Sequence, residues 1–201
     1  MNALILVDIQ NDFLPTGALP VPQGDAVIDV VNNIIDRFDV IVATQDWHPS
    51  HHGSFASQHQ GHSAFTVIDL HGLNQVLWPD HCVQNSSGAE FAPTLHSDKI
   101  QKIVQKGCDP TVDSYSGFAD NGGRIETELD AFLKSQHVDT VYICGLATDY
   151  CVQFTAHDAL KRGYATYLIT DACRGIDPSG VEAALKSLQE NGAILIDSSQ
   201  L

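Results

Sequence analysis

The sequence predicts an α/β protein in which a mainly parallel sheet of about six strands lies between two layers of helices. Two observations lead to this prediction. Short apolar segments rich in β-branched residues alternate along the chain with longer segments whose apolar residues recur at helical spacing. The apolar segments are also nearly continuous, as in strands buried on both faces. Such alternation is typical of a single three-layer αβα domain, here expected over residues 1–201.

Six segments have the composition of strands. The first is almost entirely apolar and is interrupted only by Asp8, whereas the third is the least apolar. The predicted strands are residues 3–9, 39–45, 99–107, 139–145, 165–171 and 193–198.

Four segments between these strands have helical periodicity. The first carries apolar side chains at positions 27, 28, 30, 31, 34, 35 and 38, which form a helical stripe. The fourth begins near Asp177-Pro178, because proline is favoured at the first position of a helix. The predicted helices are residues 25–38, 124–136, 150–162 and a segment beginning at about 178.

Residues 46–98 have little periodicity and interrupt the alternation. Long irregular connections inside compact domains are uncommon and are usually functional. This one holds seven of the ten histidines, at positions 48, 51, 52, 59, 62, 71 and 81.

Composition excludes several classes of function. The formal charge is −15, from 25 acidic and 10 basic side chains, so the surface repels nucleic-acid phosphates and anionic lipids. No apolar run approaches the roughly 20 residues that span a bilayer, and the first ten residues lack the pattern of a signal peptide. The five scattered cysteines are odd in number. They indicate reduced thiols in a cytoplasmic protein.

Four reactive side chains lie at the carboxyl ends of predicted strands, where open parallel sheets bind ligands. They are Asp8, Asp46, Lys106 and Cys151. Cys151 is expected in the first turn of a helix, whose dipole favours a thiolate. With Asp8 as the proton acceptor and Lys106 as the countercharge, this thiol could perform nucleophilic acyl transfer. The alternative is structural: a small buried cysteine and strand-terminal charges that reach solvent.

A metal site is also predicted. Asp46 and His48 follow a strand and are two residues apart, so in an extended segment they project to one side. His81 is the candidate third ligand and His52 an additional one. Such donors suit Zn²⁺, Fe²⁺ or Mn²⁺, and the pattern does not choose among these ions. Alternatively, these histidines only form hydrogen bonds within a polar loop.

Six short motifs together resemble one family of enzymes. In chain order and with ordinary spacing, they look like those of the nicotinamidases, within the isochorismatase-like cysteine hydrolases, from residue 3 to about 196. WPDHC combined with DWHP is the most specific part. The motifs are VDIQNDF (7–13), ATQDWHP (43–49), WPDHCV (78–83), QKG (105–107), YSGF (115–118) and GLATDYCV (145–152).

The resemblance implies a role for each matching residue. It implies a catalytic triad of Asp8, Lys106 and Cys151, and a divalent metal, with Zn²⁺ as the first expectation. It also implies a cis peptide bond between Leu146 and Ala147, with the Ala147 and Cys151 N–H groups facing an oxyanion. The implied metal ligands are Asp46, His48 and His81, with His52 as a further ligand in some relatives, and the implied ring-pocket residues are Phe13, Trp78 and Tyr115.

The implied reaction is the hydrolysis of nicotinamide to nicotinate and ammonia in NAD salvage, and of pyrazinamide, through a thioester on Cys151. The implied partner is this small-molecule substrate, and a monomer and a homo-oligomer both stay open. Another member of the superfamily could act on a carbamoyl or ureido amide or on isochorismate, but such relatives generally lack the metal motifs. A protein that binds without turnover would have lost Asp8, Lys106 or Cys151, and all three are present.

Overall fold

Six of the eight strands form one parallel sheet, and the other two form a separate antiparallel hairpin. The computed structural model describes residues 1–201. The sheet has the order β5-β2-β1-β6-β7-β8, so the predicted fold class is confirmed. The strands are β1 (Asn2–Val7), β2 (Val40–Asp46), β3 (Val67–Leu70), β4 (Leu73–Val76), β5 (Lys102–Lys106), β6 (Thr140–Leu146), β7 (Ala165–Arg174) and β8 (Ile194–Ile196).

Four α-helices accompany the sheet. Three of the buried residues of α1, Val27, Val31 and Ile34, follow the spacing of the predicted stripe. At the start of α4, the Asp177 side chain accepts a hydrogen bond from the Gly180 N–H, and proline occupies the first turn. No helix combines the length and the apolar character needed to cross a membrane. The helices are α1 (Ala26–Ile34), α2 (Leu129–Ser135), α3 (Gln153–Lys161) and α4 (Pro178–Glu190).

Several predicted boundaries differ from the structure. The helix predicted over 124–136 begins only at Leu129, because the Asp120 carboxylate accepts hydrogen bonds from the N–H groups of Gly122, Arg124 and Ile125 and holds this segment in a loop. A 3₁₀ turn follows α1 at Ile35–Arg37, and α3 is preceded by a π-helical turn at Thr148–Val152.

The region predicted as irregular contains the β3–β4 hairpin, which was not predicted. β5 is also shorter than predicted, because a 3₁₀ turn occupies Ser97–Lys99. Both differences lie in segments where polar and apolar residues mix without a clear period.

The order of the strands determines where a ligand can bind. From β1 the chain moves through β2 to β5 on one side, and from β6 it moves through β7 to β8 on the other. Because parallel crossovers are right-handed, α1 lies on one face of the sheet and α2, α3 and α4 on the opposite face. The order therefore reverses between β1 and β6. Ligands in open α/β sheets bind at such a switch point, beyond the carboxyl ends of the strands.

Gly145 allows the ends of β1 and β6 to approach each other. It pairs with Val7, and its φ of +120° is one that side chains rarely allow. A Cβ added at Gly145 would lie 2.1 Å from the carbonyl oxygen of Val7. A side chain here would therefore push apart the two strands that flank the switch point.

We expect Gly145→Ala to destabilise the protein more than Gly163→Ala. Both glycines have a positive φ, but no atom lies within 4 Å of a Cβ added at Gly163. In the control, Gly163→Ala, the free energy of unfolding should fall by about 1–2 kcal/mol, because alanine disfavours a positive φ. In Gly145→Ala it should fall by about 1–3 kcal/mol more, because the new Cβ overlaps the Val7 carbonyl oxygen. Urea unfolding measures both losses. Equal losses would show that the contact with Val7 does not constrain the fold.

Candidate active site and metal centre

A buried lysine joins the predicted reactive groups at the switch point. Lys106 is the last residue of β5, and its Nζ lies 2.9 Å from Asp8 Oδ2, 2.5 Å from Asp46 Oδ1 and 3.4 Å from Cys151 Sγ. It also donates a hydrogen bond to the Ser114 carbonyl oxygen at 2.9 Å. Burial would lower the pKa of Lys106, but the Asp46 and Asp8 carboxylates outweigh burial and raise it. The side chain is therefore an ammonium ion with two carboxylates and a thiol around it.

Asp8 is suited to proton transfer. It follows β1 with a φ of +50°, and its Oδ1 accepts a hydrogen bond from Thr44 Oγ1 at 2.6 Å. Burial raises the pKa of Asp8 to about 6, although the charge of Lys106 opposes the rise. A carboxylate with a pKa near neutrality is a stronger base than an exposed one and can also return the proton. Asp8 is therefore the candidate general base of the site, because the pKa of the other carboxylate on Lys106, Asp46, is lowered.

Cys151 lies in the π-helical turn rather than in the first turn of α3. Burial raises the pKa of its thiol well above the ordinary value, and the nearby charge of Lys106 opposes this rise only in part. The thiol therefore keeps its proton at neutral pH. Burial thus opposes the thiolate that the helix dipole was expected to favour. Attack by this thiol consequently requires a nearby base. Asp8 is the candidate, because its carboxylate and the Cys151 thiol both contact the Lys106 ammonium group.

A backbone donor lies beside the thiol. Ala147 and Cys151 line the same pocket. The Ala147 N–H donates to no acceptor of the protein, and the peptide bond between Leu146 and Ala147 is cis. A free N–H group next to a nucleophile is the arrangement that can stabilise an oxyanion.

Asp46, His48 and His81 form a group of metal donors. The Asp46 Oδ2 atom lies 3.6 Å from His48 Nε2 and 3.8 Å from His81 Nε2. Tetrahedral ligands about 2.1 Å from a metal are about 3.4 Å apart, so these separations suit one ion. His48 Nδ1 bonds to the Gly107 carbonyl oxygen at 2.9 Å, and His81 Nδ1 bonds to that of Pro79 at 2.8 Å. Both Nε2 atoms therefore carry free lone pairs.

The charges of the site also fit a divalent cation. Burial lowers the pKa of His81 to about 4, so this imidazole is neutral and able to ligate a metal. The carboxylates of Asp8, Asp46 and Asp113 are buried in the same region, and Lys106 is the one ammonium ion among them. A divalent cation would bring the sum of these charges to zero, which lowers the cost of burying them.

His52 does not join the Asp46, His48 and His81 group. Its Nδ1 accepts a hydrogen bond from the Ser54 N–H at 3.2 Å and lies 2.7 Å from Ser54 Oγ. The ring belongs instead to a second group with His48 and Asp113, whose ligand atoms lie within 4.8 Å of one another. The structure thus places His52 beside one of the metal donors rather than among them.

An aromatic pocket opens over the thiol. Trp78 meets Tyr150 edge-on with ring centroids 4.8 Å apart, and Trp78 Nε1 donates to Tyr115 Oη at 3.2 Å. The walls are apolar and flat enough for a small aromatic ring. The three predicted pocket residues Phe13, Trp78 and Tyr115 all line it, together with Leu19, Tyr150 and Ile176, which were not predicted.

Comparison with known proteins identifies the family. The family model described as "Isochorismatase domain" matches residues 2–200. The chain belongs to the isochorismatase domain family. The resemblance stated from the motifs is therefore confirmed.

Individual members of this family are similar along the whole chain. The nicotinamidase of Escherichia coli is 51% identical over 200 residues, covering 96% of this chain and 93% of that protein. The structure of an Acinetobacter baumanii nicotinamidase and pyrazinamidase matches with a TM-score of 0.96 at 44% identity, covering 99% and 97%. A Pyrococcus horikoshii pyrazinamidase, solved in complex with zinc, matches with a TM-score of 0.81 at 44% identity, covering 98% of each chain.

Asp149 connects one wall of the pocket to the π-helical turn that carries Cys151. Its Oδ1 accepts a hydrogen bond from the Ile176 N–H at 3.0 Å, and its Oδ2 accepts one from the Asp177 N–H at 2.9 Å. Gly175 leaves room for this carboxylate, because a Cβ there would lie 2.8 Å from Asp149 Oδ1. Asp149 lies within the GLATDYCV motif, so its position could have been noticed, whereas no local pattern marks Ile176 or Leu19.

We expect Lys106→Met to destabilise the protein by about 3–5 kcal/mol, because it leaves buried carboxylates without their partner. Lys102→Met is the matched control. Lys102 is in the same strand and pairs with the exposed Glu128, so its loss should cost at most about 1 kcal/mol. Urea unfolding of metal-free protein measures both. Similar losses would contradict the view that Lys106 neutralises the site.

Proposed function

We propose that the protein is a metal-dependent cysteine amidohydrolase that converts nicotinamide to nicotinate and ammonia and also hydrolyses pyrazinamide. The observation that carries the proposal is the contact of one buried ammonium group with Asp8, Asp46 and Cys151. This contact unites a nucleophile, a base and a metal ligand in one site. The similarity to nicotinamidases over the whole chain supports the choice of substrate.

In the proposed complex the pyridine ring lies between Phe13, Trp78 and Tyr115, and the carboxamide lies beside Cys151. Asp46, His48 and His81 would hold a divalent cation. When bound, this cation would act as a Lewis acid toward the lone pair of the pyridine nitrogen. The apolar walls exclude water from the ring. Positioning of this kind can contribute several kcal/mol to lowering the barrier, roughly 7–11 at most.

In the first half of the reaction, Asp8 takes the proton from the Cys151 thiol as Sγ attacks the carboxamide carbon. The negative charge moves to the carbonyl oxygen, which the N–H groups of Ala147 and Cys151 stabilise. Each such donor is worth about 3–4 kcal/mol in comparable sites. The C–N bond then breaks, Asp8 gives its proton to the leaving nitrogen, and ammonia departs from a thioester.

In the second half, Asp8 takes a proton from a water molecule that attacks the thioester carbon. The C–S bond breaks, the proton returns to Cys151, and the nicotinic acid formed passes its remaining proton to solvent and leaves as nicotinate. Lys106 stays charged throughout and stabilises whichever of Asp8 or Cys151 is anionic. The pKa of Asp8 near neutrality suits both directions of transfer.

The remaining features of the proposal concern the metal and the setting. We propose Zn²⁺ as the ion, because the donors are one carboxylate and two imidazoles, with Fe²⁺ and Mn²⁺ as alternatives. We propose that residues 1–201 act as one hydrolase domain with its metal-binding loop region at about 46–98. We also propose a cytoplasmic location, in a monomer or a homo-oligomer.

Cys151→Ala should reduce ammonia release from nicotinamide by about 10⁴-fold or more, because no other group replaces the nucleophile. Asp8→Ala should reduce it by about 10²–10⁴-fold through loss of proton transfer. Cys108→Ala is the control, since this thiol is exposed and should leave the rate unchanged. A coupled ammonia assay gives all three rates. Full activity of Cys151→Ala would falsify the assignment of the nucleophile.

Removal of the metal with a chelator should abolish nicotinamide hydrolysis, and added Zn²⁺ should restore it. His81→Ala should lose both the metal, by elemental analysis, and activity, whereas His62→Ala, at an exposed position of the same region, should keep both. If activity did not change on metal removal, the alternative function would be favoured, in which the protein acts on a carbamoyl or ureido amide or on isochorismate.

A further inference from the structure

Asp113 is a buried carboxylate that the proposed reaction does not use. It is 3% exposed and lines the same pocket as Asp46 and His81. Its Oδ1 accepts a hydrogen bond from the Ser114 N–H at 2.8 Å, and its Oδ2 accepts one from Gln75 Nε2 at 3.0 Å. Both partners are neutral amides. The negative charge of Asp113 therefore has no cationic partner in direct contact.

Two imidazoles lie next to this carboxylate. One ligand atom each from His48, His52 and Asp113 lie within 4.8 Å of one another. His52 is fully buried, and its Nε2 has no hydrogen-bond partner, although the Val112 carbonyl group lies near the ring. His48 is shared with the Asp46 and His81 group, so the two groups are continuous. Asp113 thus adjoins the metal donors through His48.

The sum of the buried charges indicates what Asp113 faces. Lys106 already contacts both Asp8 and Asp46, so it leaves one unit of negative charge among these three residues. Asp113 adds a second unit. Burying uncompensated carboxylates is costly, and the imidazoles of His81 and His52, whose pKa values burial lowers, are poor partners for them. A divalent cation at the adjoining donors supplies the two positive charges that are missing.

We propose that Asp113 is a further residue of the metal centre, which lies outside the Asp46, His48 and His81 donor set and increases the affinity for a divalent cation through its charge. The proposal rests on the metal dependence proposed above. It makes Gln75 of β4 a positioning residue, because this side chain donates to Asp113 Oδ2 and also to Tyr115 Oη at 3.1 Å. The hairpin thus connects the metal centre to the ring pocket.

The test is the Zn²⁺ affinity of Asp113→Asn in the full chain, measured by competition with a chromophoric chelator. We expect Asp113→Asn to bind Zn²⁺ about 10–100-fold more weakly than the wild type, the usual effect of losing a residue that supports metal ligands. Tyr115→Phe is the matched control, because it removes the hydroxyl from the same Gln75 network without changing the charge. It should keep the wild-type affinity for Zn²⁺.

Thermal unfolding distinguishes a charge effect from a structural one. Without metal, Asp113→Asn should have a Tm equal to or above that of the wild type, because an uncompensated buried charge is gone. Saturating Zn²⁺ should raise the Tm of Asp113→Asn by less than it raises the Tm of the wild type. Equal Zn²⁺ affinity, or a Tm lowered by the same amount with and without metal, would overturn the role of Asp113 alone. A wild-type chain that binds no divalent cation would overturn the metal centre itself, and this inference with it.

Discussion

The Lys106 ammonium group is the interaction on which the site depends. It can be buried only because two carboxylates and a carbonyl oxygen surround it, and those groups come from separate segments of the chain. The sheet brings them together. Asp46 of β2 pairs with Lys106 of β5 in register, and Asp8 directly follows β1, the neighbour of β2 on its other side. A shift of one strand by a single residue would separate these charges and turn their side chains to the other face.

Much of this arrangement could be predicted from the sequence. β1 and β2 are apolar strands with Asp8 and Asp46 at their carboxyl ends, and the carboxyl ends of parallel strands meet at one edge. Asp8, Asp46, Lys106 and Cys151 could therefore be grouped without knowing any distance. The two-residue spacing of Asp46 and His48 indicated metal donors in the same way. His81 lies far along an irregular segment, and its motif carried more weight than its spacing.

The remainder depends on contacts between distant segments that no local pattern records. Asp120 binds three backbone N–H groups and replaces the predicted start of α2, although the sequence there has helical periodicity. Asp113 and Gln75 meet across 38 positions of the chain. For Cys151 the sequence indicated the helix start that favours an anion, but not the burial that raises the pKa of the thiol.

The position of Gly107 has a consequence for how this site could diversify. Gly107 directly follows Lys106, its carbonyl oxygen bonds to His48 Nδ1, and a Cβ there would lie 2.3 Å from the His48 ring. One dipeptide therefore connects the covalent chemistry with metal recognition. A change that moves the His48 ring should therefore also disturb Lys106, which lies beside the Cys151 thiol. We therefore expect the charged cluster around Lys106 and the metal donors to be kept or lost together in related proteins. An engineered change to one of them would require redesign of the other.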